Sequence, residues 1–127
     1  MKIRPARPED LPALRGLLQE NGLAIDGLTY DDFTGLVLVV ERNGDVAGFV
    51  QTLLGQPYAV ICEMAIDRRF HHLGYGVKLL DALELILRHH GIQAWATFTS
   101  HEDVMKMLEK YGASSTGQGL MYVRRLG

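Results

Sequence analysis

The feature that most constrains this sequence runs from Tyr58 to His90. An apolar run, Tyr58-Ala59-Val60-Ile61-Cys62-Glu63-Met64-Ala65-Ile66-Asp67, reads as a buried strand. A basic turn follows, Arg68-Arg69-Phe70-His71-His72-Leu73, then a glycine pair, Gly74-Tyr75-Gly76. Val77 to His90 carries helical spacing, with Val77, Leu80, Leu83 and Leu87 as the core stripe and Glu84–Arg88 as a surface i,i+4 pair. A strand that empties through glycines into a helix start presents unpaired backbone N–H groups, and the helix dipole adds partial positive charge there. The absence of Cβ atoms lets a ligand come close. This is a place to hold an anion, above all a phosphate.

What surrounds that unit is bounded by length and charge. At 127 residues the chain is expected to form one domain over 1–127, large enough for a real core. A net charge of −2 gives no bulk basicity to suggest a nucleic-acid partner. One cysteine excludes an internal disulfide and a Cys-based zinc cluster. No apolar run approaches the roughly 18 residues of a membrane span, and the start, Met1-Lys2-Ile3-Arg4-Pro5, lacks a signal peptide's apolar stretch. The expectation is a soluble cytoplasmic protein with no membrane partner.

Taken in order, Lys2 to Arg4 reads as a first strand stopped by Pro5. Asp10-Leu11-Pro12 opens a helix with Asp10 as cap, Leu11, Leu14, Leu17 and Leu18 fall at helical spacing, and Gly22 stops it. Residues 23–35 are harder to read, although Tyr30-Asp31-Asp32-Phe33 suits one helical turn. Leu36–Val40 and Val46–Leu54 pair as a hairpin through Asn43-Gly44-Asp45. After the central helix Gly91 is the cap, and Ile92–Thr99 is the next strand. Ser100 or Asp103 starts a helix reaching Tyr111, and Gly112 ends it. Ala113–Thr116 and Leu120–Arg124 flank Gly117-Gln118-Gly119 as short strands. The order implies an α/β domain with a mixed sheet of about six to seven strands and three to four helices.

This order, with a phosphate turn after the fourth strand, resembles the GCN5-related N-acetyltransferase (GNAT) superfamily. Ile3-Arg4-Pro5-Ala6-Arg7-Pro8-Glu9-Asp10-Leu11 is similar to the family's first strand and helix start. Met64-Ala65-Ile66-Asp67-Arg68-Arg69-Phe70 is similar to the end of its fourth strand, and Leu108-Glu109-Lys110-Tyr111-Gly112 to the close of its last helix. His71-His72-Leu73-Gly74-Tyr75-Gly76 overlays its acyl-CoA pyrophosphate motif, with His71 in place of the usual Arg or Gln. Elsewhere His101 stands for an Asn, Leu108 for a Tyr that protonates the leaving thiolate, and Ala113 for an aromatic. The segment between the first helix and second strand is short.

The resemblance implies a sheet splayed between its fourth and fifth strands and acyl transfer from acetyl-CoA to an amine, without metal. It puts the pantetheine arm against main chain at Met64, Ala65 and Ile66. It puts the pyrophosphate against Leu73, Gly74, Tyr75 and Gly76, with Arg69, His71 and His72 as cationic contacts; a solvated basic turn is the alternative reading of those three. Arg68 or Arg69 can reach the ribose 3′-phosphate. Glu63, a carboxylate in an apolar strand where burial raises its pKa, is the candidate general base. The alternative is a carboxylate that is merely salt-bridged or exposed. Tyr111, one turn after Leu108, is the candidate acid, or simply packs. A thiol pKa of roughly 8.5 lets solvent protonate the leaving group.

The histidines are adjacent pairs (His71/His72, His89/His90) and not i,i+4 ligands, so no metal site is read from them. His101 reads as a surface or capping residue, or as a substrate contact. Cys62 reads as inert core, Trp95, Phe98, Met105 and Met107 as packing, and Ala94 and Ala96 as small residues that leave room for the pantetheine arm. The acceptor is an amine on a small molecule or protein, and two copies can pair as a homodimer. Two other readings remain: a degenerate acyl-CoA-binding or regulatory module, and a nucleotide-binding protein. The last lacks a third glycine, at Leu79, and a Walker lysine.

Overall fold

The computed structural model describes residues 1–22, 29–99, 102–116 and 121–127. Among them the strands are β1 (Lys2–Pro5), β2 (Leu36–Arg42), β3 (Asp45–Leu53), β4 (Tyr58–Ile66), β5 (Ala94–Phe98), β6 (Ser114–Ser115) and β7 (Met121–Arg125). The helices are α1 (Leu11–Glu20), α2 (Tyr75–His89) and α3 (Glu102–Tyr111), with 3₁₀ turns at Pro8–Asp10, Tyr30–Asp32 and Arg68–Phe70. One seven-stranded sheet runs β1-β2-β3-β4-β5-β7-β6. Only β4 and β5 are parallel, with α2 as their crossover. The α/β mixed sheet expected from the sequence is the observed fold.

Local chemistry sets the register. Asn43 (φ 53°) and Gly44 (φ 85°) both take the left-handed conformation that a two-residue hairpin turn demands, and so align β2 with β3. On one face of the sheet Leu79, Leu80, Leu83 and Leu87 of α2 and Leu108 of α3 close over Ile61, Trp95 and Tyr122. On the other face Leu14, Leu17 and Leu18 of α1 close over Val37, Val39, Phe49 and Ala65. The first core covers the β5 and β7 side of the sheet; the second reaches only as far as β4.

Several expectations are corrected by these two cores. Val77 is 39% exposed at the first turn of α2, and Leu79 takes its place in the core. Glu84 is not at the surface: it is buried, accepting from Trp95 Nε1 at 2.7 Å and Arg124 Nε at 3.2 Å, with Arg88 Nη1 at 3.7 Å. These donors neutralise a carboxylate that burial would otherwise penalise. Phe98 is 64% exposed because no helix among the described residues covers its face of β5, and Cys62 is exposed rather than core. Asp10 does not cap α1 with its side chain; it takes a two-pronged bond from Arg4 (2.8 and 2.9 Å) and the Arg7 N–H (2.7 Å). Pro5 belongs to β1, opposite Leu38. The expectations on Ser100, His101, Gly117-Gln118-Gly119 and part of 23–35 lie outside the described residues.

Candidate active site

The site begins where β4 and β5 stop being neighbours. They pair from Tyr58↔Ala94 to Ile61↔Thr97, and Thr97 Oγ1 donates to the Ile61 carbonyl at 3.0 Å on the last rung. β5 ends at Phe98, whereas β4 continues to Ile66, so among the described residues the upper half of β4 has no strand on that side. The Asp67 N–H donates back to Ala47 of β3. Alternation then turns the main chain of Met64 and Ile66 away from β3, into the space left by β5. Ala65 pairs with Phe49 of β3 and buries its methyl under α1.

A bulge decides which side chains face that space. Gln51 pairs with Glu63 and Thr52 with Ile61, so Cys62 is an extra residue in β4. Below it Ala59 and Ile61 face α2; above it Met64 and Ile66 do, while Ala65 faces α1. The insertion therefore sets Glu63 on the α1 side, across from Gln51, whose amide donates to the Thr34 carbonyl at 3.0 Å. Glu63 is partly buried, and burial alone pushes its carboxyl above the ordinary glutamate range.

At the end of β4 the chain turns into α2. His71 Nε2 donates to the Ile66 carbonyl at 2.7 Å, tying the turn to the strand. His72 (φ 64°) stands exposed, its ring edge-on to His71. Gly74 (φ 84°) sits in a conformation that side chains resist, and its carbonyl accepts the first helical bond from Lys78. The N–H groups of Tyr75, Gly76 and Val77 precede that bond and have no intrahelical acceptor. A Cβ at Gly76 would come no nearer than 3.9 Å to protein, at Met107 Cε. No neighbour in the protein demands this glycine.

The other residues of the turn are engaged in different ways. Leu73 is exposed. The Tyr75 side chain is buried against Phe70 and its hydroxyl meets Arg42 Nη1 at 3.4 Å, leaving only its main chain for a ligand. Arg69 holds Asp67 with Nε at 3.1 Å and Nη2 at 2.8 Å, which keeps that carboxyl below its usual range. Arg68 is tied to Glu20.

Tyr111 and Glu63 are not brought together. Tyr111 packs into the α2 core near Trp95, and its hydroxyl donates to Asp81 Oδ1 at 2.7 Å. Burial first, then that carboxylate, push its pKa far up, so it holds its proton. Leu108 is 1% exposed and supplies only methyl groups to the same core. Ala94 and Ala96 lie on rungs where β4 and β5 are still paired, below the parting, which leaves no room there for a pantetheine arm between them. Sequence reasoning also missed the Glu84–Trp95–Arg124 cluster; the signal was a lone glutamate within the leucine spacing of α2. Among the described residues no group of three or more His, Cys, Asp or Glu side chains could hold a metal ion. Nor is any described helix long and apolar enough to cross a membrane.

A mixed sheet that parts beside a glycine turn at a helix mouth defines a class of α/β transferases that thread an extended, phosphate-bearing cosubstrate between two strands. Within that class the chain belongs to the acetyltransferase (GNAT) family, whose model matches residues 6–113. Solved structures share the fold. The ribosomal-protein-S18-alanine N-acetyltransferase from Escherichia coli has a TM-score of 0.85 at 20% identity, over 99% of this chain and 94% of its own. Ard1 from Thermoplasma volcanium gives 0.79 at 20%, covering 98% and 96%. The PaiA N-acetyltransferase from Thermoplasma acidophilum, in complex with coenzyme A, gives 0.83 at 15%, covering 98% of each. No curated protein matches the chain.

Proposed function

We propose that the protein is an N-acetyltransferase that moves the acyl group of acetyl-CoA to an amine. One observation carries the reading: beyond Ile61 the main chain of Met64 and the N–H of Ile66 turn away from β3 with no strand of the described residues beside them, and lead toward the helix mouth at Gly74–Gly76, where first-turn amides await an anion. The residues fit the cosubstrate, since Gly74 and Gly76 leave space at the turn that side chains would occupy. The amides of Tyr75, Gly76 and Val77 would hold the diphosphate, with His72 beside them. Met64 and Ile66 would pair with the pantetheine amides, and a strand N–H would face the thioester oxygen.

Acetyl-CoA supplies an activated thioester. The neutral amine attacks its carbonyl carbon, the C–N bond forms as the C–S bond breaks, and the coenzyme thiolate leaves. Glu63 receives the proton lost by the amine, directly or through one water, because its carboxylate lies on the α1 side of the parted strand with its pKa raised by burial. The thiolate takes its proton from solvent, since Leu108 has none to give and Tyr111 is committed to Asp81. The acceptor approaches from the α1 side; an amine on a protein suits that open approach, and the E. coli neighbour acts on a ribosomal protein.

The second reading, an acyl-CoA-binding module without turnover, is favoured by Leu108 and Ala113 at positions where the family carries aromatic residues, and by the short segment after α1. Free thiol released from acetyl-CoA across a panel of amines and peptides separates the two. Turnover supports the enzyme, while a thermal shift with acetyl-CoA and no thiol release supports the module. Neither signal would sink both.

A further inference from the structure

The open face of the sheet holds a cavity of about 600 Å³ that acetyl transfer leaves unused. Its floor is Val60, Ala94, Ala96 and Val123, one residue or two from each of β4, β5 and β7. Phe98 and Met121 stand at its upper end and pair across β5 and β7. That pair is the rung after Thr97, whose partner on β4, Ile61, is the last before the strands part. The cavity therefore opens at the point where the thioester would be held.

A chain longer than acetyl, attached at that thioester, has two ways to leave the slot. Toward α2 and α3 the space is filled: Leu108 and Tyr122 are each 1% exposed. Toward the α1 side no helix of the described residues covers β5 and β7, and the cavity lies over them. From the Phe98 rung to the Ala94 rung it runs for four residues, about 13 Å at strand rise. The floor is carbon, Tyr58, Ser114, Ser115 and Thr116 add hydroxyls elsewhere in the lining, and the one charged residue in its described lining, Arg125, stands at the far end on the Ala94 rung. An amine acceptor lying on that floor of Val60, Ala94, Ala96 and Val123 would find no side chain there to bond its polar atoms, whereas an aliphatic chain needs none.

We propose that this trough receives the acyl chain of a medium-chain acyl-CoA, so that the preferred donor carries a longer aliphatic group than acetyl. The inference rests on the acyltransferase reading above and assigns its donor specificity. Each buried methylene is worth about fourfold in affinity, from about 0.8 kcal/mol. A half-open trough captures part of that, and octanoyl-CoA is expected to bind at least tenfold more tightly than acetyl-CoA.

The test is calorimetry on the full chain with CoA, acetyl-CoA and octanoyl-CoA, repeated on Ala96→Leu, which fills the floor. Val123→Lys is the second variant; it places a charge over the same floor without demanding buried volume. Thermal melting shows that each variant is folded. Expected is a loss of the octanoyl advantage in both variants, with acetyl-CoA affinity held within twofold. Equal affinity of the wild type for the two thioesters overturns the proposal while leaving the acyltransferase reading intact. So does an octanoyl advantage that survives in both folded variants. Absence of binding by any CoA thioester overturns both readings together. If chain length of the donor has no effect but apolar amines speed thiol release, the trough belongs to the acceptor and the proposal fails.

Discussion

The two ends of the slot are built from different material. On the proposed reading the contacts at the helix mouth are main chain: the amides of Tyr75 to Val77 and the strand groups of Met64 and Ile66. At the bulge the proposed chemistry rests on one side chain, Glu63, turned toward the α1 side by the inserted Cys62. A site made of backbone tolerates exchange of nearly every side chain provided its glycines stay. A site made of one carboxylate has no such tolerance. This accounts for a phosphate turn that keeps its shape with His71 in the family's Arg or Gln position, His71 serving instead as a tether to Ile66. It also predicts that the two ends fail differently.

The largest failure is expected at Glu63. Glu63→Gln keeps the size of the side chain and removes the proton acceptor, so kcat should fall by about 10²-fold or more. Acetyl-CoA affinity, measured by calorimetry, should stay within twofold. A variant that turns over at the wild-type rate would show that the bulge end, like the other, works without a side chain.

The pH dependence sharpens the same contrast. Burial raises the folded pKa of Glu63, so the carboxyl is neutral below that value and accepts a proton only above it. kcat should therefore climb with pH through a midpoint higher than an ordinary glutamate's, and that limb should vanish in Glu63→Gln. Linkage gives an independent check of sign. A raised carboxyl pKa means that the folded chain holds this proton more firmly than the unfolded chain, so its contribution to stability declines as pH rises through that window. Glu63→Gln should melt no lower than the wild type near neutrality, with any advantage disappearing in acid.

Gly76→Ala comes next and moves binding and stability in opposite directions. Nothing in the protein stands closer than 3.9 Å to the added methyl, and alanine in a helix is favoured over glycine by about 1 kcal/mol. The melting temperature should hold or rise, while acetyl-CoA affinity drops about tenfold as the methyl meets the diphosphate. Unchanged affinity would mean that the anion is not held at this helix mouth.

The contrast also explains what was readable in the sequence. Main-chain devices carry local signatures: Asn43-Gly44 fixes the hairpin, and Gly74-x-Gly76 after an apolar strand marks the helix mouth, so both could be read from neighbours in the chain. The bulge has no such signature. Whether Cys62 is inserted depends on which residues of β3 lie opposite, and an apolar strand reads the same in either register. Glu84 looked like surface because its partner on α2 is four residues away, whereas its burial depends on Trp95 and on Arg124, 40 residues along the chain. Phe98 looked like core because nothing in the sequence says that α1 stops short of β5.

Tyr111 provides the smallest expected effect and the narrowest test of how the two ends divide the work. Its hydroxyl donates to Asp81 from within the α2 core, and burial with that carboxylate keeps it protonated well beyond the working range. A general acid must release its proton during turnover, and this one is held by its surroundings in the form that does not let go. Tyr111→Phe removes one hydrogen bond, so stability should fall by about 0.5–1.5 kcal/mol by denaturant titration. kcat should stay within twofold, and the alkaline side of the pH profile should not move. A hundredfold loss in kcat with an altered alkaline limb would return the acid role to this residue. The bulge end would then have a second side chain, reaching it from the opposite face of the sheet.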